Sequence, residues 1–192
     1  MLKRILISIL FVICLISTFS SSYAEEIRSI NIRAGGVNHP YGSATVLALE
    51  YEHSVTEFVS LVPSLGSFEY DYEDGIYYEE GSSSLGLLFS VRFYPRRWYQ
   101  EGFWFGPGLA IFDIDFEWTE EGYYRTYRGS GSYLGIAPMF GLGGKIKIGK
   151  NIYFDPSLLV GYLESYNVDA DQGEPVATTV FAAFNLGVSF QF

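Results

Sequence analysis

The sequence predicts an all-β fold of eight antiparallel strands in up-and-down order, closed into a barrel. Three observations carry this. First, the stretch Thr179–Phe192 alternates strictly: Val180, Ala182, Phe184, Leu186, Val188, Phe190 and Phe192 are apolar, and the residues between them are mostly small or polar. Side chains alternate across a strand, so this segment has one greasy and one wet face. Second, the rest of the chain divides into seven more segments of this kind. Third, the connections between them alternate between long and short. Composition agrees: 18% of residues are aromatic and 21 are Gly, a mixture that favours strands joined by turns.

The segments run as follows. Strand one is Ile27–Gly36, with Ile30, Ile32 and Ala34 against Ser29, Asn31 and Arg33. Strand two is Thr45–Glu52, with Leu47, Leu49 and Tyr51 against Ala48, Glu50 and Glu52. In strand three, from Phe58, the set Val59, Leu61, Pro63, Leu65 gives way near Ser67 to Phe68, Tyr70 and Tyr72, which reads as a bulge. Strand four is Ser84–Tyr94, with Leu85, Leu87, Phe89, Val91 and Phe93 on one face. In strand five, Gly102–Trp118, the residues Phe112, Ile114, Phe116 and Trp118 oppose Asp113, Asp115 and Glu117. Strand six carries Leu134, Ile136, Pro138, Phe140, Leu142, Ile146 and Ile148 on one face and Lys145 and Lys147 on the other. A three-residue loop, Gly149-Lys150-Asn151, leads to strand seven, Ile152 to Tyr162. Strand eight is the C-terminal stretch.

The long connections are Val37–Ser43, Asp71–Ser83, Thr119–Ser130 and Glu164–Pro175; the short ones are His53–Glu57, Pro95–Glu101 and Gly149–Asn151. Short turns on one side and long loops on the other mark a barrel that spans a bilayer, where closure is required because every backbone polar group must be paired within the protein. The long loops are acidic, and the short turns carry Arg96, Arg97 and Lys150. The apolar sets then face lipid, and the inward set supplies a lumen charge network: Arg33, Glu50, Arg92, Lys145, Lys147 and Asp155. Across the Gly149–Asn151 loop the register places Ile146 opposite Phe154 and Lys145 opposite Asp155, a pair expected to close the hairpin. Trp98, Tyr99, Trp104, Trp118, Tyr123, Tyr124 and Tyr162 form interfacial girdles. Pro63, Pro107, Pro138 and Pro156 would each remove a ladder donor, so bulges are expected at them.

Residues 1–24 read as a signal peptide: Lys3 and Arg4, an apolar run from Ile5 to Phe19, then Ser22 and Ala24 at the small positions of a cleavage site. The barrel domain is then 25–192. Cys14, the only Cys, leaves with the signal, which excludes disulfide, zinc-thiolate and cysteine-nucleophile chemistry. Losing Lys3 and Arg4 takes the formal charge from −10 to −12 and argues against nucleic acid as a partner.

The signal, Gly102-Phe103-Trp104-Phe105-Gly106-Pro107-Gly108, the hairpin Gly141–Asp155 and the terminal Phe192 together resemble the small eight-stranded bacterial outer-membrane barrels, the group of the OmpA transmembrane domain and OmpX-like proteins. The resemblance spans the mature chain at the level of pattern. It implies a monomer in the outer membrane, among lipid and lipopolysaccharide, with a structural or surface-interaction role and no cofactor. A narrow OmpW-like channel is the second reading and a lipid A-modifying enzyme the third. Tyr70, Tyr72, Tyr77 and Tyr78, interleaved with acids, suit contact with an extracellular protein or ligand. Gly144–Asn151 nearly matches a phosphate loop, but Asn151 stands where Ser or Thr would hold magnesium, so a hairpin is expected. His39 and His53 lack the Ser partners that barrel enzymes use, so no enzyme is expected. Asp169, Asp171 and Glu174 lack EF-hand spacing, so no metal is expected.

Overall fold

The computed structural model describes residues 28–39, 42–74, 77–95, 101–123, 125–167 and 175–192. Eight strands follow in chain order: β1 Arg28–His39, β2 Gly42–Ser54, β3 Val59–Asp74, β4 Tyr77–Phe93, β5 Gly102–Glu121, β6 Thr126–Lys147, β7 Ile152–Asn167 and β8 Pro175–Gln191. Each pairs antiparallel with its sequence neighbours, and β8 pairs with β1, which closes the barrel. One end, here the turn end, holds the connections 55–58 and 148–151 and the residues 94–95 and 101 that flank β4 and β5. The Phe192 amide donates to the Arg28 carbonyl there at 2.9 Å.

Parity along every strand separates two faces. Ile32, Leu47, Leu49, Phe103, Ile146, Phe184 and Leu186 point outward and are half or more exposed, or nearly so. On β5 the outward apolar set runs from Phe103 through Leu109 to Ile111, about nine residues, the length that crosses a hydrocarbon core.

Above Ile111 the pattern inverts. Asp113, Asp115 and Glu117 continue the outward face and are exposed, while Phe112 and Ile114 are buried inside. The β5–β6 ladder runs without a slip, so this is one strand whose apolar residues move from the outer face to the inner one. The same change occurs on β3, where Leu65 is exposed outside but Phe68 packs inside against Phe112 at 5.4 Å between ring centroids. The slip expected near Ser67 is therefore an exchange of apolar character between the two faces of one continuous strand. β3 keeps one register against β2 throughout. A bulge does exist here, but β4 carries it: both of its ladders shift by one residue between Ser82 and Gly86.

Three further expectations need correction. The long connections are mostly strand: β3 and β4 reach Asp74 and Tyr77, and β5 and β6 reach Glu121 and Thr126. Alternating Tyr, Thr and acid is a strand sequence when both faces are wet, so polarity misled the assignment. At about 3.3 Å per residue the 22-residue β6 extends far beyond a bilayer's reach. Second, the prolines make no bulge. Each interrupts two rungs on one side, after which the register resumes unchanged: between Glu50–Ser64 and His53–Leu61 for Pro63, Ser90–Gly108 and Phe93–Phe105 for Pro107, Ile136–Glu164 and Met139–Gly161 for Pro138, and Gly143–Ser157 and Ile146–Phe154 for Pro156. A missing N–H removes a ladder bond without adding a residue. Third, Trp104 is not in a girdle. It is 3% exposed and points into the lumen.

Candidate functional site

The expected register across the Gly149–Asn151 loop is present: Ile146 faces Phe154 and Lys147 faces Tyr153. The Ile148 amide donates to the Ile152 carbonyl at 3.0 Å. The same register puts Lys145 and Asp155 on neighbouring strands, but their rung falls in the gap beside Pro156, and the side chains go to other partners.

Inside the turn-end half, six ionised groups meet at the barrel axis. Arg92 of β4 is the hub. Its Nη2 reaches Glu50 Oε2 at 2.6 Å, and its Nη1 lies 2.9 Å from Glu52 Oε2 and 3.3 Å from Asp155 Oδ2. Arg33 Nη2 donates to Asp155 Oδ2 at 2.8 Å and to Glu50 Oε2 at 3.2 Å. Arg33 Nε stands 2.9 Å from Glu50 Oε1, close enough for ion pairing but not aligned as a hydrogen bond. Lys145 Nζ reaches Glu52 Oε2 at 2.6 Å and Ser29 Oγ at 3.1 Å.

Neutral groups complete the shell. Tyr94 donates its hydroxyl to Glu52 at 2.6 Å, Trp104 its indole N–H to Asp155 at 3.1 Å, and Asn31 its amide to Glu50 at 3.2 Å. The Arg92 guanidinium lies 4.4 Å from the Trp104 ring centre, a cation–π contact away from bulk water. A methyl built on Gly143 would meet that indole at 2.6 Å, so β6 must be bare there for the ring to lie flat.

Five strands supply the ions, β5 adds Trp104, and the charges cancel: Arg33, Arg92 and Lys145 against Glu50, Glu52 and Asp155. All six side chains are at least nine-tenths buried. Buried ions are tolerated only when paired and hydrogen-bonded. These are, so the cluster ties the barrel wall across its own lumen. Its carboxylates are engaged by cations, and among the described residues no group of acids or histidines is arranged to hold a metal.

Of the six expected network residues, five converge. Lys147 does not: its side chain is half exposed at the mouth, 3.3 Å from Glu101. Glu52 takes the sixth place. The alternation on β2 already put it inward beside Glu50. Lys145 pairs with Glu52 instead of Asp155. Trp104 was hidden from sequence reasoning because an aromatic near a strand end suits a girdle equally well.

Above this cluster the lumen turns apolar. Ala110, Phe112, Ile114 and Ala137 are buried together, with Phe68, Leu88, Met139, Leu163 and Phe181 against them. Val37, Ala44 and Ala183 form the layer next to it. Tyr70, expected to suit contact with an extracellular protein or ligand, faces inward and donates its hydroxyl to Glu79. Tyr78 points out and is 42% exposed. Tyr72 and Tyr77 lie on paired rungs near the loop end, but their side chains are outside the described residues. Trp118 lies over Gly129, inside the upper wall rather than in a girdle. Tyr162 faces outward at 38% exposure, and Tyr123 is 93% exposed at a tip. His53 stacks on Tyr51 near the turn end. His39 ends β1 opposite Gly42. Arg96, Arg97, Trp98, Tyr99, Tyr124 and Asp169–Glu174 lie outside the described residues.

No family model and no curated protein matches the chain. Solved structures do. Ail, the attachment invasion locus protein of Yersinia pestis, is similar at a TM-score of 0.51 and 12% identity, over 88% of this chain and 100% of that one. The outer membrane protein AlkL, solved in lipid bilayers, is similar at a TM-score of 0.51 and 12% identity, over 90% and 93%. The fold is that of the small eight-stranded barrels of bacterial outer membranes.

Proposed function

We propose that the chain is a transmembrane barrel of the outer membrane with a closed lumen, a structural or surface-interaction protein and not an enzyme. The observation that carries this reading is the neutral ion cluster, drawn from five strands across the axis, with an apolar layer stacked on it. The outward apolar set supports the membrane placement, because exposed Ile, Leu and Phe on strand after strand would be a liability in water. With the turn end toward the periplasm, β3 to β6 project outward as a stiff wall bearing acids and tyrosines. Such a wall suits a basic or hydrogen-bonding partner outside the cell, and attachment of the kind Ail's name states is one form of it. Residues 1–24 act as a signal removed before Glu25, and the barrel works as a monomer among lipid and lipopolysaccharide.

The test is planar-bilayer conductance of the refolded chain. No stepwise current above the lipid baseline is expected. Regular steps would favour the narrow-channel reading instead. Protease added to intact cells should cut between Asp74 and Tyr77 or between Glu121 and Thr126; cleavage only after permeabilisation would reverse the assigned topology.

A further inference from the structure

Inward residues of β8 and β1 meet in rungs. Climbing from the turn end, Asn31 pairs with Ser189, Arg33 with Gly187, Gly35 with Asn185 and Val37 with Ala183. The first three rungs are polar or bare, and the fourth begins the apolar layer. Along this seam three buried polar atoms have no hydrogen-bond partner: Asn31 Oδ1, Ser189 Oγ and Asn185 Nδ2. Their residues are at most 2% exposed. Between Ser189 and Asn185 stands Gly187, which carries no side chain of its own; an added methyl would press on the Asp155 and Ile32 carbonyl oxygens at 3.3 and 3.4 Å. So the seam holds an acceptor, a hydroxyl that both donates and accepts, and an amide donor, with a bare glycine between the last two. Buried polar groups of this kind are met by water, each molecule making about three hydrogen bonds.

We propose that the turn-end half of the lumen binds water in a file along the β1–β8 seam, entering at the mouth and ending at Asn185, and that the apolar layer from Ala183 upward is the permeation barrier. The inference rests on the closed-lumen reading and adds where the closure lies. The ion cluster braces the wall but leaves this seam wet. The barrier is the layer in which Ala183 and Ala137 are each 2% exposed among aromatic and aliphatic neighbours. No polar side chain of that layer's buried members can hold a passing ion.

The experiment places single cysteines at Ser189, Asn185, Ala183 and Ala137 in a Cys14→Ser background, in refolded protein in vesicles. The probe is silver ion, which is thiol-specific, close to water in size and excluded from lipid. Reaction is read by mass after denaturation and alkylation. Ser189→Cys and Asn185→Cys should react at least about tenfold faster than Ala183→Cys and Ala137→Cys, since thiol reactivity follows exposure. Asn185→Cys as slow as Ala183→Cys would mean a dry seam, and Ala137→Cys as fast as Ser189→Cys would mean no apolar barrier; either overturns the proposal. Conductance gives the second arm. Phe68→Ser with Phe112→Ser should open measurable current, whereas the neutral exchange Lys145→Met with Glu52→Gln should stay at baseline. The reverse result would place the barrier in the ion cluster. Current through the unmodified chain would instead sink the closed-lumen reading itself. Retention of a heat-modifiable band certifies that each variant is folded.

Discussion

The two halves of this barrel are built on opposite plans. The turn-end half is apolar outside and charged inside; the loop-end half is charged outside and apolar inside. Ile111 and Phe112 are where β5 changes from one plan to the other. In lipid, an outward apolar surface gains nothing by burial, so the interior is free to hold polar groups provided they satisfy one another. Above the membrane the outside is water, and the wall behaves as a soluble β-structure that buries its apolar face. A single closed ladder serves both, because backbone pairing is indifferent to which face is wet.

The sharpest way to break the comparison is to remove the hub of the charged half. Arg92→Ala leaves Glu50, Glu52 and Asp155 facing one another with only Arg33 and Lys145 beside them. Breaking a buried ion network from one side costs about 3–5 kcal/mol. Urea unfolding in vesicles should show a loss of that size. Arg92→Met with Glu50→Gln restores neutrality and should recover most of it. Equal damage from both would mean that packing over Trp104, not charge, is what Arg92 supplies.

The apolar half should fail differently. Phe112→Ala removes a ring that packs against Phe68 and covers Gly86, where a built methyl would lie 2.2 Å from the ring. A cavity there costs about 3 kcal/mol. The membrane-embedded half should stay closed, so the loop-end strands of this variant should gain hydrogen exchange while the rungs around Glu50 do not. Uniform loss of protection would mean the halves fold as one unit.

Much of this was legible in the sequence, and the misses share one cause. Period-two alternation located all eight strands and five of the six cluster members, but left the lower half of β5, through Gly106-Pro107-Gly108, without an assigned inward face. It said nothing about which face meets water, because alternation is the same in both halves. Phe112 and Phe68 read as outward, and the slip near Ser67 as a bulge, because one solvent was assumed along the whole strand. Glu52 was visible as inward by parity alone; Trp104 was not, because it shares its parity with Phe112, which read as outward. What parity cannot supply is reach across the lumen: Lys145 bridges to Glu52 on β2, far from its ladder partner, and only closure brings them together.

That bridge is a mid-sized test of the charged half. Lys145→Glu alone puts a fourth carboxylate beside Glu52 and should cost about 3 kcal/mol. Adding Glu52→Lys restores opposite charge but sets the new lysine against Arg92, so recovery should be partial, with a coupling of roughly 1–2 kcal/mol. Lys145→Asp combined with Asp155→Lys should show no comparable rescue, since Asp155 serves Arg33, Arg92 and Trp104 instead. Rescue by that second pair, in thermal or urea unfolding, would restore the ladder partner as the true one.

The smallest effect tests the boundary itself. Asp113 and Ile111 share the outer face of β5, two residues and about 7 Å apart. If the lipid ends between them, each tolerates a different change. Asp113→Leu removes a charge from a watery surface and should alter stability by less than about 0.5 kcal/mol. Ile111→Asp sits at the interface and should cost no more than about 1 kcal/mol, while Leu109→Asp, one step deeper on the same face, should cost more. The series is therefore a depth scale: cost should rise from Asp113 through Ile111 to Leu109. A stabilisation above about 1 kcal/mol for Asp113→Leu, measured in vesicles, would put Asp113 in hydrocarbon and move the boundary up the strand. Asp115 would then become the first outward acid in water. The inversion of Phe112 and Ile114 would lose its explanation, because their inward packing would lie within the membrane.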